Sequence, residues 1–377
     1  MSVFTIFFCG TGSNNWDANY NKNYHAGELI SKLATNHEGK EFVDWIVVDG
    51  PGSGNLLEDE KWTQPGNYAD FRGKAFGAGW EENVAHAVAV IKGKYEWSRK
   101  NMTKEEYEIL KKAKVEVPDA KNIGWIRNIY EYPNRKTTPQ ELQAKKAEIF
   151  RNGKLPSVVN IIGWSRGGVT CHMLANAMAK DPSLKKIPVN IFAVDPVPGS
   201  GQFRNDRIKL ADNVKEYFAV YAHDERSIGF APVIPELDKM IKATVLPIRG
   251  RHATVVGNAA IDGGDGNDEL FAPGKIVRDL AEKCLTDWGT PLKEKLNLSK
   301  SDIATAYNEI VRDASKYDAM QSVVYTKNQN TNGERSVSKG STWAKYSDIK
   351  GEEYIHPEGL IVVKNKRSWY HEKNSDN

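Results

Sequence analysis

The chain has 377 residues, with 52 Lys and Arg against 49 Asp and Glu and a formal net charge of +3, which excludes the basic footprint of a nucleic-acid binder and a strongly cationic membrane surface. Its 40% hydrophobic and 27% charged residues are those of a soluble enzyme with a sizeable core, in one large domain or two average ones. Three cysteines, Cys9, Cys171 and Cys284, lie far apart and are odd in number. They suggest neither a disulfide framework nor a zinc cluster, and fit a reducing compartment.

The first run, "SVFTIFFCGTGSNN", reads as a buried strand ended by a Gly/Ser/Asn turn. It lacks the basic leader and the length of a signal peptide, and no run reaches the ~18–20 apolar residues of a membrane span. The expected location is therefore the cytoplasm, or outside the cell by a specialised export route. "EFVDWIVVDGPGSGN" repeats the strand and glycine loop, and "WEENVAHAVAVIKGKY" places apolar residues at helical spacing. Residues 95–156 are Lys/Glu-rich, with "TKEEYEILKKAK" and "TPQELQAKKAEIF" each opened by a Thr able to cap a helix. They are expected to form an inserted helical cap or lid.

Four further strand candidates follow, "PSVVNIIG", "KIPVNIFAVDPVPG", "VKEYFAVYAHDE" and "KATVLPIRGRHATVVG". Strands alternating with helices predict an α/β fold with a mostly parallel, doubly wound central sheet flanked by helices. Beyond residue 290, "SKSDIATAYNEIVRDASKY" reads as an amphipathic helix, "KNQNTNGERSVSKGSTWAK" as a polar loop and "GLIVVKN" as a last edge strand. This gives a core over residues 1–290 and a C-terminal extension over 291–377 that packs on it.

Gly163-Trp164-Ser165-Arg166-Gly167 matches the G-x-S-x-G nucleophile elbow and sits between an apolar strand and a helix, where that motif has physical meaning. The flanking glycines let the chain turn sharply, and the N–H of Arg166 at the helix start supplies one oxyanion donor. An ordinary turn serine is the competing reading. A serine nucleophile needs a base, and in the α/β-hydrolase order Ser is followed by an acid and then His. The later histidines are His172, His223, His252, His356 and His371. His172 falls within the helix after the elbow and His371 in the tail, whereas His252 follows the last core strand in the loop "RGRHATVVG" and is favoured. Two acids end strands. Asp195 in "IFAVDP" is preferred, and Asp224 in "YAHDER" is the alternative, bordering the site or held in an ion-pair network with Glu225 and Arg226.

The second oxyanion donor is expected from Gly10, Thr11 or Gly12 of "CGTGSN", where a tight turn equally accounts for the glycines. "IDGGDGNDE" has the acidic and glycine content of a calcium loop without its order, so a solvated turn is the plainer reading. No P-loop is present. No cofactor and no metal is called for.

In this order, "FFCGTGSNN", "AFGAGWEENVAHAVAVI", "IIGWSRGGVTCHMLANAM", "AVDPVPG", "YFAVYAHDERSIGFAP" and "RGRHATVVG" resemble the type VI secretion lipase effectors of the first group and the wider bacterial and fungal α/β-hydrolase-like domain related to them. The resemblance spans roughly residues 3–257. It implies an α/β-hydrolase-like fold and a Ser165, Asp195 and His252 triad that hydrolyses carboxylic esters, phospholipid acyl esters among the effectors. Departures fall at Cys9 and Thr254, where that family usually carries Asp.

The reading is thus a serine esterase or lipase, with an ester or phospholipid substrate met at a membrane surface and no nucleic-acid partner. A cap of this kind would wall an apolar groove, with Trp80, Trp97 and Trp125 as lining or, more plainly, as core. The alternatives are a hydrolase-fold effector that binds without turnover, and a transacylase.

Overall fold

Apolar runs rich in Val, Ile and Phe form the core strands, and a helix that the sequence pattern does not predict, α1, stands between the first two: β1 (Val3–Phe8), α1 (Leu29–Thr35), β2 (Trp45–Val48), α2 (Trp80–Lys92), β3 (Met102–Thr103), β4 (Lys121–Asn122), β5 (Ile129–Glu131), α3 (Pro139–Arg151), β6 (Val158–Trp164) and α4 (Arg166–Lys180). The second half adds β7 (Val189–Val194), α5 (Asn205–Ile208), β8 (Val214–Ala222), β9 (Val233–Ile234), β10 (Lys242–Ile248), α6 (Ala272–Asp287), α7 (Lys300–Arg312), α8 (Ala314–Met320), β11 (Ser336–Lys339), β12 (Thr342–Lys345), β13 (Tyr354–Ile355) and β14 (Ile361–Val362). This is a computed structural model, and it describes residues 2–15, 24, 27–51, 79–94, 102–104, 107–108, 121–122, 129–131, 139–199, 202–267, 269–323, 335–345, 354–355 and 361–362.

Six strands form one sheet in the order β10-β8-β7-β6-β1-β2, and every neighbouring pair is parallel. The protein is therefore an α/β fold with a doubly wound sheet, as expected. Winding runs outward in both directions from β1 and β6, so the switch point lies between them, where α/β folds gather their ligand sites.

Both faces of the sheet are covered, which is why its strands are nearly continuous in apolar character. On one face Phe4, Ile6, Ile161, Ile191 and Tyr217 pack with α2, α3 and α4. On the other, Phe7, Ile162, Phe192, Phe218 and Ile248 pack with α1, α6, α7 and α8. A polar rung interrupts the apolar strands: Thr5 is the register partner of Asn160, and Asn160 of Asn190. Asn190 Nδ2 donates to Asn160 Oδ1 at 3.0 Å, Asn160 Nδ2 donates to Thr290 Oγ1 at 2.9 Å, and the Thr5 and Thr290 hydroxyls are 2.8 Å apart.

Three expectations change. First, the 95–156 insertion is not all helical, because β3, β5 and β4 form a small antiparallel sheet within it. Thr103, expected to cap a helix, belongs to β3, and most of "EEYEILKKAK" lies outside the described residues. The second expected helix forms as α3, but it is a packed flank. Its Ala144 and Ala147 enter the core, Arg151 Nη1 donates to the Val90 carbonyl at 2.7 Å, and the Arg151 guanidinium sits 4.7 Å from the Phe4 ring centre. Second, "GLIVV" does not extend the central sheet; β14 pairs antiparallel with β13 alone. Third, the polar stretch read as a loop contains the hairpin β11–β12, turned at Gly340-Ser341 with Gly340 at φ 56°. Strand β11 also pairs in parallel with β9.

Candidate active site

Ser165 immediately follows β6 and precedes α4, with φ 58° and ψ −125°. A serine in that region costs about 1–3 kcal/mol and persists only where its surroundings impose it. Here Ser165 N–H donates to the Val194 carbonyl at 3.0 Å, and its own carbonyl accepts from Val169 and Val197. The two flanking glycines are demanded by close approach: a Cβ on Gly163 would lie 2.3 Å from the Gly167 carbonyl oxygen, and one on Gly167 would lie 2.3 Å from the Phe8 carbonyl oxygen. The sequence therefore turns helix α4 directly against β1 and β6 and presents Ser165 at the switch point.

Asp195 follows the adjacent strand β7 and is also in the left-handed region, at φ 39°. Its side chain is fully buried. Oδ2 accepts from His252 Nδ1 at 2.6 Å, and Oδ1 accepts from the Ala222 N–H at 3.1 Å. Since a carboxylate only accepts, His252 Nδ1 is the donor of this bond, and in the neutral tautomer that keeps it Nε2 is the acceptor nitrogen. The imidazole lies between two rings, Trp164 tilted against it at 5.2 Å and Phe230 edge-on at 4.8 Å. The Trp164 indole N–H donates to the His252 carbonyl at 3.3 Å, so the residue before Ser165 also holds the histidine loop.

A further residue on this carboxylate escaped the sequence pattern. Arg335, just before β11, donates from Nη1 to Asp195 Oδ1 and from Nη2 to Asp195 Oδ2, both at 2.8 Å. The same guanidinium reaches the carbonyls of Ala222 and Phe230. Burial pushes the Asp195 carboxyl up, but Arg335 and His252 outweigh it and bring it down to about 2. The one signal that bore on this was the hairpin pattern "VSKGSTWA", two short runs about a two-residue Gly-Ser turn.

Asp224, the other acid considered, follows β8 and is also fully buried. Its oxygens accept from His223 Nδ1 at 2.6 Å, Arg249 Nε at 2.8 Å, the Gly250 N–H at 2.7 Å and Gln321 Nε2 at 2.9 Å. It shares no hydrogen bond with His252 and serves as a clamp on the loop that carries it. Glu225 helps, with Oε2 accepting the His252 N–H at 3.3 Å and Oε1 accepting the N–H groups of Arg226 and Ser227. Thr254, one of the two departures noted above, closes the same loop by accepting the Arg251 N–H at 3.1 Å. The other, Cys9, is buried at the end of β1.

Among the remaining candidates, His172 is a core histidine. It bonds the Arg207 carbonyl and the Tyr217 hydroxyl, and burial lowers its pKa to about 4. His356 and His371 lie outside the described residues, as do Trp97 and Trp125. Trp80 is fully buried beneath Arg207, whose guanidinium is 4.1 Å from its ring centre, with that of Arg166 at 5.8 Å.

In the first-strand loop the Gly12 N–H is committed to the Pro51 carbonyl at 3.0 Å, which removes it as an oxyanion donor and leaves Gly10 and Thr11. The Thr11 hydroxyl accepts from Arg166 Nη1 at 2.8 Å, tying that loop to the elbow. Burial, followed by repulsion from Arg207, lowers the Arg166 guanidinium to about 10. As the first residue of α4, Arg166 has a backbone N–H with no acceptor inside its own helix. In "IDGGDGNDE" one Asp262 oxygen accepts the N–H groups of Gly264 and Gly266, and Arg251 Nη1 donates to the Asp262 carbonyl. The loop is a closed turn, and no group of three or more potential metal ligands occurs among the described residues.

No protein-family model matches the chain, and no curated protein matches it. Among solved structures it is similar to an uncharacterised protein from Pseudomonas aeruginosa, with 14% identity and a TM-score of 0.48 over 85% of this chain and 52% of that one. It is also similar to the Tle1 effector bound to the VgrG spike of the type 6 secretion system, with 13% identity and a TM-score of 0.32 over 68% of this chain and 50% of the other. The chain thus spans about half the length of each. Among the described residues no helix is long and apolar enough to cross a membrane.

Proposed function

We propose that the protein is a serine hydrolase of carboxylic esters. The observation that carries the reading is the 2.6 Å bond from His252 Nδ1 to the buried Asp195 carboxylate, at the end of the strand next to a strained Ser165. In this reading His252 Nε2 takes the Ser165 proton as Oγ attacks the acyl carbonyl. Asp195 fixes the imidazole tautomer and balances the imidazolium charge. The N–H groups of Arg166 and of Thr11 or Gly10 receive the oxyanion. His252 then returns the proton to the departing alcohol, and water releases the acyl group by the same route.

Lipid acyl esters, phospholipids among them, are the proposed substrates. The support is the ordered set of motifs from "FFCGTGSNN" to "RGRHATVVG", which resembles that of secreted lipase effectors. Export by a specialised machine belongs to the same proposal. A fluorophosphonate probe tests the chemistry: it is expected to label the protein, and Ser165→Ala is expected to abolish labelling. Equal labelling of the two would sink the proposal. Release of fatty acid from phosphatidylcholine vesicles, set against turnover of short p-nitrophenyl esters, tests the lipid part, which fails if only short esters are cleaved.

A further inference from the structure

We propose that Arg335 is a positioning residue for the Asp195–His252 pair, delivered to the site from the C-terminal segment by the pairing of β11 with β9. The inference rests on the serine-hydrolase reading for its consequence in catalysis, and on geometry alone for the contact itself.

The fork is bidentate, with one Nη on each carboxylate oxygen, the arrangement in which arginine fixes the plane of a carboxylate as well as its charge. That plane decides where Oδ2 lies, and Oδ2 accepts the His252 Nδ1 proton. With the Ala222 N–H on Oδ1, the carboxylate has two donors on each oxygen and cannot rotate without breaking bonds. The guanidinium is itself held by the carbonyls of Ala222, at the end of β8, and Phe230, whose ring packs on His252. Its backbone is placed by the register of Ser338 with Val233 and Lys339 with Ile234. The Ser338 N–H donates to Pro232 and the Gly340 N–H to Ile234. Arg335 therefore immediately precedes a short paired strand.

The charged and titratable groups that face Asp195 are Arg335, His252 and the buried Tyr221 phenol. Tyr221 donates to the Val233 carbonyl at 2.8 Å, so Arg335 is the permanent cation among them. Its removal leaves a fully buried carboxylate with burial still pushing its pKa up. Protonation of Asp195 then erases the acceptor for Nδ1–H at a higher pH than in the wild type.

The test uses the full chain with Arg335→Met and, as a variant that keeps the charge but loses the fork, Arg335→Lys. Two readouts are taken across acid titration. One is kcat and KM for an ester; the other is the proton resonance of the His252 Nδ1–H bond. For Arg335→Met the expected results are a fall of about 10–100-fold in kcat, the size of misplacement effects, little change in KM, and loss of the Nδ1–H resonance at higher pH than in wild type. Arg335→Lys should lie between the two, and it carries the test if the Met variant does not fold. Unchanged kcat, acid limb and resonance in a folded variant would overturn the proposal. If the wild type cleaves no ester and takes no probe, the hydrolase reading falls separately, and the resonance still decides: a shift on loss of Arg335 supports the positioning role, and none overturns it.

Discussion

Two neighbouring strand ends of this sheet carry nearly the same set of groups. Asp195 after β7 and Asp224 after β8 are both fully buried, and each contacts a histidine Nδ1 at 2.6 Å and an arginine at 2.8 Å. A buried Asp–His–Arg group is therefore not by itself a site. The difference lies in what the histidine belongs to. His223 is the chain neighbour of Asp224, and the carboxylate's other contacts are the Gly250 N–H and Gln321, so this group staples loop to loop. His252 comes from a different loop than Asp195 and is packed between Trp164 and Phe230. The Asp224 end ties its own loop to its surroundings, and the Asp195 end, in the proposed reading, holds the proton acceptor.

The sharpest way to break this comparison is to change both acids. Asp195→Asn is expected to lower ester turnover by about 10⁴-fold, the scale seen when the histidine tautomer is no longer fixed. Asp224→Asn should keep most of its rate at temperatures where it is folded. Similar losses of kcat in the two variants would collapse the distinction.

Stability should reverse the ranking of visible effects at the second end. Asp224→Ala removes the buried acceptor of the Arg249 Nε and leaves that buried guanidinium only the Nη2 bonds to Asp318 and the Ala314 carbonyl. Breaking one side of such a pair costs about 3–5 kcal/mol, read as a drop in the denaturant midpoint. A loss below about 1 kcal/mol, the range of exposed pairs, would contradict the clamp.

His172 sharpens the comparison as a buried histidine with no carboxylate. Its pKa falls from 6.5 to about 4 through burial, so between those values the unfolded chain binds a proton that the folded chain does not. Stability must then rise with pH across that window, by about 3 kcal/mol from this group. His37 and His86 are lowered likewise. Denaturant melts from pH 4 to 6.5 should show the slope, and His172→Gln should remove about a third of it. An unchanged slope would count against a neutral buried His172.

The smallest effect lies behind the Asp224 end. Ser299 caps α7 through a reciprocal box with Asp302, and the helix that follows it supplies Asp318 to Arg249 at 2.6 Å. Ser299→Ala is expected to lower stability by about 1 kcal/mol and to leave ester turnover alone. A change in turnover would mean that the two strand ends are coupled.

The six core strands could be read from apolar runs because a parallel sheet buries both faces. Ser165, Asp195 and His252 could be singled out because each follows such a run. The Asp195–His252 contact could not be read from spacing, since that bond joins residues 57 positions apart. Arg335 was hidden more deeply. It lies 140 positions from its partner, in a polar stretch where two-residue hairpin chemistry was the only cue. The stretch "IDGGDGNDE" has the content of an ion loop without its order and reads as a turn, and in the fold Asp262 closes that turn with the backbone donors of Gly264 and Gly266.

The Thr5–Asn160–Asn190 rung has a consequence for folding fidelity. Ser165 lies five residues beyond Asn160 and Asp195 five beyond Asn190, and the two asparagines are register partners. A slip of two residues between β6 and β7 would keep the inward and outward faces correct, yet would displace one strand end from the other by about 7 Å. It would also separate the paired amides inside a buried layer, where such groups are expensive to leave unmatched. The rung therefore acts as a vernier: misaligned sheets are disfavoured during assembly, and the two strand ends emerge level.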